Sequence, residues 1–438
     1  MGPTLGASPG RLPFAPDPVR PAVPPPRTGR VAIVGAGAIG SGIARLLSGL
    51  GATAVVVAPR RGGVARATER IHYWYASDVR HGRLSAAEAD AGLRNVRVTA
   101  RYADIEGAEF VIESVPEEVA VKQEVLAAVE AHTSPACIFA SNTSSIPLAD
   151  IAAKASRPHN VIGTHYFWPA QRYQLVEIAR AATTSERTLQ RTLDLIHWQG
   201  KVPLLVRDVP GFFTTRILLV YLNEAVALVT EGASVDEVDN AMQAFGWPMG
   251  PFQLLDAIGL EKFRGIHQSI SRHLGERVMH IERLWPVLEA GHVGYKNGRR
   301  EGTKGFYLYQ GRPEIDARVH RLIGRAVGAG PTPFEISVRP VWQMVNEIGH
   351  CLAEGVVASA DDADRGAVLG LGWPPVHETP LAYAHRVGVR NIVEQLHAWA
   401  REYGPWFTPS PALVEWPASG SPGMPTAGAG AFALRGVS

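Results

Sequence analysis

The sequence predicts an α/β Rossmann domain, with a doubly wound and mostly parallel sheet, followed by two related all-α domains. Two observations support this prediction. From Arg30 to about residue 208, short apolar runs alternate with segments of helical periodicity, which is typical of parallel strands joined by helices. After Gly211 the strand pattern ends, and a series of landmarks in the helical remainder occurs twice in the same order.

The first of these regions contains six apolar runs of strand length. A glycine-rich turn and an apolar-periodic helix ending near Leu50 separate the first run from the second, and residues 121–131 have helical periodicity. Strands are therefore predicted at 31–34, 54–57, 110–112, 138–140, 160–163 and 174–178.

The second region contains an internal repeat. The first series is Asn223-Glu224, Glu231-Gly232, Asp239 and Gly246-Trp247-Pro248, and the second is Asn346-Glu347, Glu354-Gly355, Asp362 and Gly372-Trp373-Pro374. The first two landmarks are 123 residues apart (346 − 223 and 354 − 231) and the last 126 (372 − 246), so a small insertion separates them. Four landmarks in one order favour duplication of a helical domain over chance similarity of helix ends.

These patterns define the predicted domain organisation. We expect a disordered proline-rich leader over 1–28, a dinucleotide-binding domain over 29–208, a helical domain over 209–310, its duplicate over 311–412, and a disordered tail over 413–438.

Composition excludes several classes of function. The 438 residues include 43 basic and 41 acidic side chains, so a formal net charge of +2 gives no electrostatic footprint for nucleic acid. No apolar run is long enough to cross a bilayer, and the N-terminus has no secretory signal pattern. The two cysteines, Cys137 and Cys351, lie in apolar surroundings typical of buried thiols in a reducing compartment. We therefore expect a cytoplasmic protein without a membrane, nucleic-acid or metal partner.

A glycine motif follows the first strand and begins a helix. Its residues are Gly35, Gly37 and Gly40, with Ala38 and Ile39 between the last two. Such glycines permit a tight turn, close approach of a pyrophosphate and close helix packing, while the helix N-terminus attracts phosphate. The strand–turn–helix context favours a dinucleotide site over a glycine-rich turn without a ligand.

The end of the second strand bears on the choice of cofactor. The acid that usually binds the adenosine ribose is absent there, because Ala58 is followed by Pro59, Arg60 and Arg61. Two guanidinium groups suit a ribose 2′-phosphate, so the sequence slightly favours NADP(H) over NAD(H). The alternative is that both arginines are solvated surface charges.

A family resemblance covers residues 30–410. The residues that carry it are Val111-Ile112-Glu113-Ser114-Val115-Pro116-Glu117, Ser141-Asn142-Thr143-Ser144-Ser145, Gly163-Thr164-His165-Tyr166-Phe167, Leu175-Val176-Glu177, Pro210-Gly211-Phe212 and Gly246-Trp247-Pro248-Met249-Gly250-Pro251. In this order and spacing the chain resembles the L-3-hydroxyacyl-CoA dehydrogenase family. Its two helical repeats resemble those of multifunctional fatty-acid oxidation α-subunits, without their hydratase domain.

The resemblance implies roles for individual residues. It makes His165 the general acid/base, a role that suits histidine because this residue type titrates near neutral pH, and makes Glu177 the carboxylate that orients the imidazole. Ser144 is implied to contact the substrate oxygen. The alternative is that it only caps the helix that follows it. Glu117, Lys122 and Asn142 are implied to contact the cofactor, and an exposed charge pair remains the alternative for the first two.

Two positions depart from the family pattern. Thr215 stands where the family has an asparagine that contacts the substrate, and a hydroxyl there still offers one hydrogen bond. Trp168 replaces another asparagine, which removes a polar contact and narrows the predicted pocket that also includes Met249. Because His165 and Glu177 are retained, these changes favour an altered substrate over lost activity.

The sequence therefore predicts an oxidoreductase that transfers a hydride between NAD(P)(H) and C3 of a 3-hydroxyacyl or 3-oxoacyl thioester. The thioester is carried on CoA or an acyl carrier protein, and its acyl group is a specialised one. One alternative is a dehydrogenase of a free hydroxy acid or sugar acid; another is a catalytically silent assembly partner. The resemblance also implies a possible homodimer through the helical domains.

Overall fold

The computed structural model describes residues 29–279, 281–295, 303–310, 313–328 and 330–416. The predicted leader over 1–28 lies outside these residues, and so does the predicted tail beyond 416. The tail was expected to begin at 413, but that position belongs to a short helix, Pro411–Val414, in which Leu413 is buried.

Eight strands of the described N-terminal residues form one sheet, in the order β3-β2-β1-β4-β5-β6-β7-β8. They are β1 Arg30–Val34, β2 Thr53–Val57, β3 Val96–Thr99, β4 Phe110–Glu113, β5 Ile138–Ser141, β6 Val161–Tyr166, β7 Leu175–Arg180 and β8 Val202–Arg207. The helices between them are α1 Ala38–Gly49, α2 Gly63–Arg80, α3 Ala86–Arg94, α4 Val119–His132, α5 Leu148–Ala152 and α6 Glu186–Trp198.

The predicted Rossmann-type fold is confirmed, because every pairing in this sheet is parallel except that of β6 with β7. Apolar side chains explain why the central strands are buried on both faces: Val31 to Val34 and Ala54 to Val57 are almost completely inaccessible to solvent. The one antiparallel pair matters for function, since its register sets His165 directly opposite Glu177.

The chain after Gly211 is mainly helical, as predicted. Its helices are α7 Thr214–Glu231, α8 Val235–Phe245, α9 Pro251–Ile258, α10 Leu260–Leu274, α11 Trp285–Glu289, α12 Arg318–Leu322, α13 Pro333–Ala353, α14 Ala360–Gly366, α15 Pro380–Val387, α16 Val389–Glu402 and α17 Pro411–Val414. A two-stranded ribbon, β9 Tyr307–Leu308 with β10 Glu314–Ile315, lies between α11 and α12.

The two long helices α7 and α13 pack against each other and exchange reciprocal ion pairs. Arg216 on α7 donates from Nε to Glu347 Oε1 over 2.7 Å and from Nη1 to Glu354 Oε2 over 2.9 Å. Arg339 on α13 makes the same pair of contacts with Glu224 and Glu231, each over 2.6 Å. Each arginine and its acids are displaced by 123 positions from their counterparts (339 − 216, 347 − 224 and 354 − 231), so the contact has approximate two-fold symmetry.

The structure corrects one landmark of the repeat, the residue that corresponds to Asp239. The side chains of Ser234 and Ser359 cap α8 and α14 at an offset of 125 (359 − 234), so Asp239 corresponds to Asp364 and not to Asp362. Asp239 accepts from the backbone amide of Phe252, and Asp364 accepts in the same way from Leu381. Asp362 instead bonds to the capping serine of its own helix.

Two further expectations concern the environment of the chain. Cys137 and Cys351 are both buried free thiols, as predicted. Among the described residues, no helix combines the length and the apolar character that a membrane crossing requires.

A buried lysine supports the loop that follows β6. Lys201 is 6% exposed, and its ammonium donates to the carbonyl oxygen of Ala170 over 2.7 Å and to that of Tyr173. Burial lowers the pKa of Lys201 to about 7, because two carbonyl groups replace only part of the hydration of a charged ammonium.

This lysine predicts a pH dependence of stability. The unfolded chain keeps its lysines protonated up to about pH 10, so between pH 7 and 10 Lys201 binds fewer protons in the folded chain than in the unfolded one. The free energy of unfolding should therefore rise with pH, by up to about 1.4 kcal/mol per pH unit from this group. Urea unfolding between pH 7 and 9.5 should show this rise in the unaltered chain and in a variant of the exposed Lys154, Lys154→Met. Lys201→Met should lack it; an equal rise in that variant would show that Lys201 does not cause it.

Candidate active site

The predicted pair of His165 and Glu177 forms a hydrogen bond at the end of β6. His165 Nδ1 lies 2.7 Å from Glu177 Oε2, and because a carboxylate only accepts, Nδ1 carries the proton. Glu177 is completely buried and His165 is partly accessible. The bond fixes the orientation and tautomer of the imidazole and leaves Nε2 as a proton acceptor.

Glu177 is held from its other side by the start of α7. Its Oε1 accepts from the amides of Phe213 over 3.2 Å and Thr214 over 2.8 Å, and its Oε2 accepts from Thr214 Oγ1 over 2.8 Å. With the bond to His165, this buried carboxylate accepts four hydrogen bonds, two of them from backbone amides that point out of a helix N-terminus.

The family pattern singles out Thr215, but hydrogen bonds to Glu177 come from its neighbour Thr214. Thr215 is 8% exposed and lies in the first turn of α7, beside the residue that binds Glu177. A threonine at the first position of a helix that follows Pro210-Gly211-Phe212 was a signal for a side chain able to bond a buried acid.

Aromatic rings cover the imidazole. The ring of Phe167 lies 4.7 Å from that of His165, and the ring of Phe212 lies at 6.2 Å. Phe212 has a positive φ of 45°, a conformation that bulky residues rarely adopt. The turn before α7 therefore combines backbone strain with the aromatic cover of the candidate base.

Ser144 lies in a loop that Glu117 organises. Glu117 Oε1 accepts from the amides of Ser144 over 2.8 Å and Ser145 over 2.9 Å, and from Thr143 Oγ1 over 2.7 Å. Burial alone would raise the pKa of Glu117, but the charge of Lys122 and these hydrogen bonds lower it to about 2. The carboxylate thus fixes the serine loop that follows β5.

The structure places Lys122 in a buried ion-pair cluster, which rules out the alternative of an exposed charge pair. This residue is fully buried, and its ammonium binds Glu113 Oε1 over 2.9 Å, Glu113 Oε2 over 3.0 Å and Glu117 Oε2 over 3.1 Å. Burial alone would lower the pKa of Lys122, but the two carboxylates raise it. The ammonium of Lys122 thus fixes the carboxylate of Glu117, and a contact of Lys122 with the cofactor stays a prediction.

Three further predicted site residues are Asn142, Trp168 and Met249. Asn142 follows β5, and its Oδ1 accepts from the amide of Tyr166 in the neighbouring strand over 2.8 Å. Trp168 follows the β6 strand end and is 51% exposed, so its indole is available to a ligand. Met249 is half-buried in the segment between α8 and α9.

The glycines after β1 are arranged as a dinucleotide site requires. Gly35 has φ of 99°, and an added Cβ would lie 2.4 Å from Ser114 O; at Gly40 it would lie 2.0 Å from Gly35 O. At Gly37, which caps α1 just before Ala38 and Ile39, an added Cβ would meet no protein atom within 4 Å. Two glycines are thus needed for the turn itself, and the third leaves open space at a helix N-terminus, which fits a pyrophosphate.

Gly37 and Gly40 predict a matched pair of variants. Gly37→Ala should fold normally, because φ of −67° suits alanine, but its methyl group should lower the affinity for the dinucleotide about 10-fold or more. Gly40→Ala should instead destabilise the fold by about 1–3 kcal/mol, since its Cβ overlaps a carbonyl oxygen. Titration with NADH and NADPH, with thermal melts, measures both; unchanged binding in Gly37→Ala would exclude the glycine turn as the site.

The end of β2 has the basic character predicted for it. Ala58 is buried, whereas Arg60 and Arg61 are exposed. Arg66 Nη2 donates to the carbonyl oxygen of Arg61 over 2.9 Å and adds a third guanidinium group to this loop. No carboxylate occurs between Ala58 and Gly63.

Comparison with known proteins finds matches to both the N-terminal sheet domain and the helices that follow it. Residues 30–209 match the NAD binding domain of 3-hydroxyacyl-CoA dehydrogenase, and residues 211–309 match its C-terminal domain. The chain is 36% identical over 403 residues to the fatty acid oxidation complex subunit alpha of Shewanella loihica. That alignment covers 91% of this chain and 56% of the relative, so the chain spans little more than half of that protein's length.

Solved structures extend the comparison. FadB2 of M. tuberculosis is 33% identical, with a TM-score of 0.61 over 64% of this chain and 99% of that one. The (S)-3-hydroxybutyryl-CoA dehydrogenase PaaH1 of Ralstonia eutropha is 30% identical, with a TM-score of 0.60 over 65% and 99%. A 3-hydroxybutyryl-CoA dehydrogenase of Escherichia coli shares the fold over 88% of this chain, with a TM-score of 0.74 and 23% identity.

Proposed function

The chain belongs to the 3-hydroxyacyl-CoA dehydrogenase family, and on that premise we propose that it interconverts a 3-hydroxyacyl and a 3-oxoacyl thioester with a nicotinamide cofactor. The observation that supports this activity best is the bond between His165 and Glu177, which leaves Nε2 of a partly accessible imidazole as a proton acceptor.

The proton-handling step follows from this geometry. When the alcohol is oxidised, His165 Nε2 takes the proton of the 3-hydroxyl group while C3 loses a hydride, and the buried carboxylate of Glu177 stabilises the imidazolium. In reduction the same nitrogen returns the proton to the ketone oxygen. A dinucleotide with its pyrophosphate at the glycine turn would supply the hydride acceptor or donor through its nicotinamide ring. Ser144 and Thr215 are proposed to orient the substrate oxygen and carbonyl.

The acyl group is proposed to differ from a plain fatty chain. Trp168 offers an exposed indole beside the end of β6, and Thr215 offers a hydroxyl with a shorter reach than an amide. Both changes alter contacts with the substrate without touching the bond between His165 and Glu177. The thioester carrier in this proposal is CoA or an acyl carrier protein.

The cofactor is proposed to be NADP(H) rather than NAD(H). Arg60 and Arg61 lie in the loop after β2, and Arg66 of α2 contacts this loop, which lacks the acid suited to a free ribose 2′-hydroxyl. Fluorescence titration should show tighter binding of NADPH than of NADH, and Arg60→Ala with Arg61→Ala should weaken only NADPH.

The test of the proposed activity combines both cofactors with a panel of thioesters. We expect oxidation of NADPH when acetoacetyl-CoA or a related 3-oxoacyl thioester is added. Full activity with NADH and none with NADPH would refute the cofactor proposal. Turnover of a free hydroxy acid or sugar acid but of no thioester would favour the alternative dehydrogenase, and turnover of neither would favour a silent assembly partner.

A further inference from the structure

The second helical repeat differs from the first by one residue beside the candidate active site. Both α8 and α14 begin after a capping serine, but Gly372 is offset from Gly246 by 126 positions (372 − 246) whereas the serines are offset by 125 (359 − 234). The additional residue falls in a π-helical segment, Ala367–Leu371, that continues α14. Single-residue insertions produce such segments, often near functional sites.

Two glycines of this region lie against residues just after β6, in β7 and at the start of α7, around the candidate base. An added Cβ on Gly366 would lie 2.6 Å from Phe213 Cε1, and one on Gly370 would lie 2.8 Å from Leu175 Cδ2 and 2.9 Å from Thr214 Cγ2. The same Cβ on Gly370 would lie 3.4 Å from the ring of Phe167. No side chain larger than hydrogen fits without displacing these neighbours.

These neighbours are the groups that hold the His165–Glu177 pair. Thr214 donates two hydrogen bonds to Glu177, Phe213 donates a third through its amide, and the ring of Phe167 lies against that of His165.

At the corresponding positions of the first repeat the chain carries Ala241 and Ala244, found by subtracting 125 from 366 and 126 from 370. The copy that faces the pair thus carries glycine at both positions, where the other copy carries alanine.

We propose that the second helical repeat is part of the catalytic apparatus, with Gly366 and Gly370 as positioning residues that seat the start of α7 and Phe167 against His165 and Glu177. The π-helical turn brings the backbone at Gly370 close enough to serve as a wall for Thr214. The kinetic part of this inference rests on the proposed function, whereas the geometry of the pair can be measured without substrate.

The test substitutes each glycine with the alanine that the first repeat carries. Gly370→Ala and Gly366→Ala should lower kcat about 10- to 100-fold, because displacement of Thr214 or Phe213 tilts the imidazole away from its reacting geometry. KM for the thioester and the affinity for the cofactor should change less than about threefold. A small displacement of the imidazole affects the proton transfer more than it affects binding. Leu396→Ala serves as the control. It removes a fully buried side chain of α16, so it should leave a cavity and lower Tm without changing a contact of His165 or Glu177.

A second readout does not depend on turnover. The Nδ1 proton of His165, bonded to a buried carboxylate, should give a low-field proton NMR signal that disappears in His165→Ala. We expect this signal to shift or broaden in both glycine variants and to stay unchanged in Leu396→Ala.

The outcomes separate the two proposals. An unaltered chain that turns over no thioester refutes the proposed function, while a shifted signal in the glycine variants still supports the positioning role. An active unaltered chain whose glycine variants keep their kcat and their His165 signal refutes the positioning role alone. A loss of kcat equal to that in Leu396→Ala, with an unchanged signal, refutes it as well.

Discussion

Replacement of His165 by alanine should lower kcat about 100- to 10,000-fold, the range in which a positioned general acid or base contributes. The imidazole is the group that holds the migrating proton, and its tautomer is fixed by a 2.7 Å bond to the buried Glu177. Among the described residues that bond to Glu177, only His165 has a basic side chain, so its removal leaves none that can take the proton from a substrate. Steady-state kinetics with the best thioester from the panel measures the loss.

The affinity for the nicotinamide cofactor provides the internal control. Because the glycine turn after β1 is formed without His165, Kd for the cofactor should change less than about threefold in His165→Ala. His197 is an exposed histidine of α6, and His197→Ala should keep full activity. If His165→Ala retained more than a tenth of the original kcat, another group would have to handle the proton.

Replacement of Arg339 by methionine should destabilise the fold by about 3–5 kcal/mol, the cost of leaving a buried charge without its partner. Arg339 is 0% exposed and its guanidinium contacts Glu224, which is 1% exposed, and Glu231. It also lies over the ring of Tyr403, 4.2 Å from the ring centroid, so methionine would lose this contact too. Urea unfolding of the two chains measures the difference in the free energy of unfolding.

The symmetric counterpart, Arg216→Met, should cost less. Glu347 keeps a second cation there, because Arg277 Nη2 lies 3.0 Å from Glu347 Oε1, whereas in the described residues Arg339 is the only cation that contacts Glu224. The double variant Arg339→Met with Glu224→Gln should recover part of the lost stability, since it removes the uncompensated charge. Equal losses in the two single variants, or less than about 1 kcal/mol in Arg339→Met, would contradict this account of the helix pair.

The interior strands of the sheet were predictable, and its edges were not. The runs at 31–34, 54–57, 110–112 and 138–140 are continuously apolar because these strands are buried on both faces. The two strands that the sequence did not reveal, β3 and β8, are the two edges of the sheet, where burial is incomplete. Pro203 further obscures β8, although a proline is tolerated at a sheet edge.

The candidate site was predictable where chemistry depends on residue type and spacing. His165 and Glu177 could be paired because a family pattern fixes their separation, and the strand register explains it. The burial of Lys122 could not be predicted, since the sequence does not show that its ammonium contacts the carboxylates of Glu113 and Glu117. Gly370 could not be found either, because its importance arises from a contact with Thr214, which lies 156 residues away in the sequence (370 − 214).

The most direct test of the account follows the hydride itself. The protein is mixed in single turnover with NADPH or NADH deuterated at the transferable position of C4, together with acetoacetyl-CoA and longer 3-oxoacyl thioesters, and the products are analysed by mass spectrometry. The account predicts one deuterium at C3 of a 3-hydroxyacyl thioester, and a loss of that product in His165→Ala. Absence of deuterium from every thioester, with a folded chain that binds the cofactor, would contradict it.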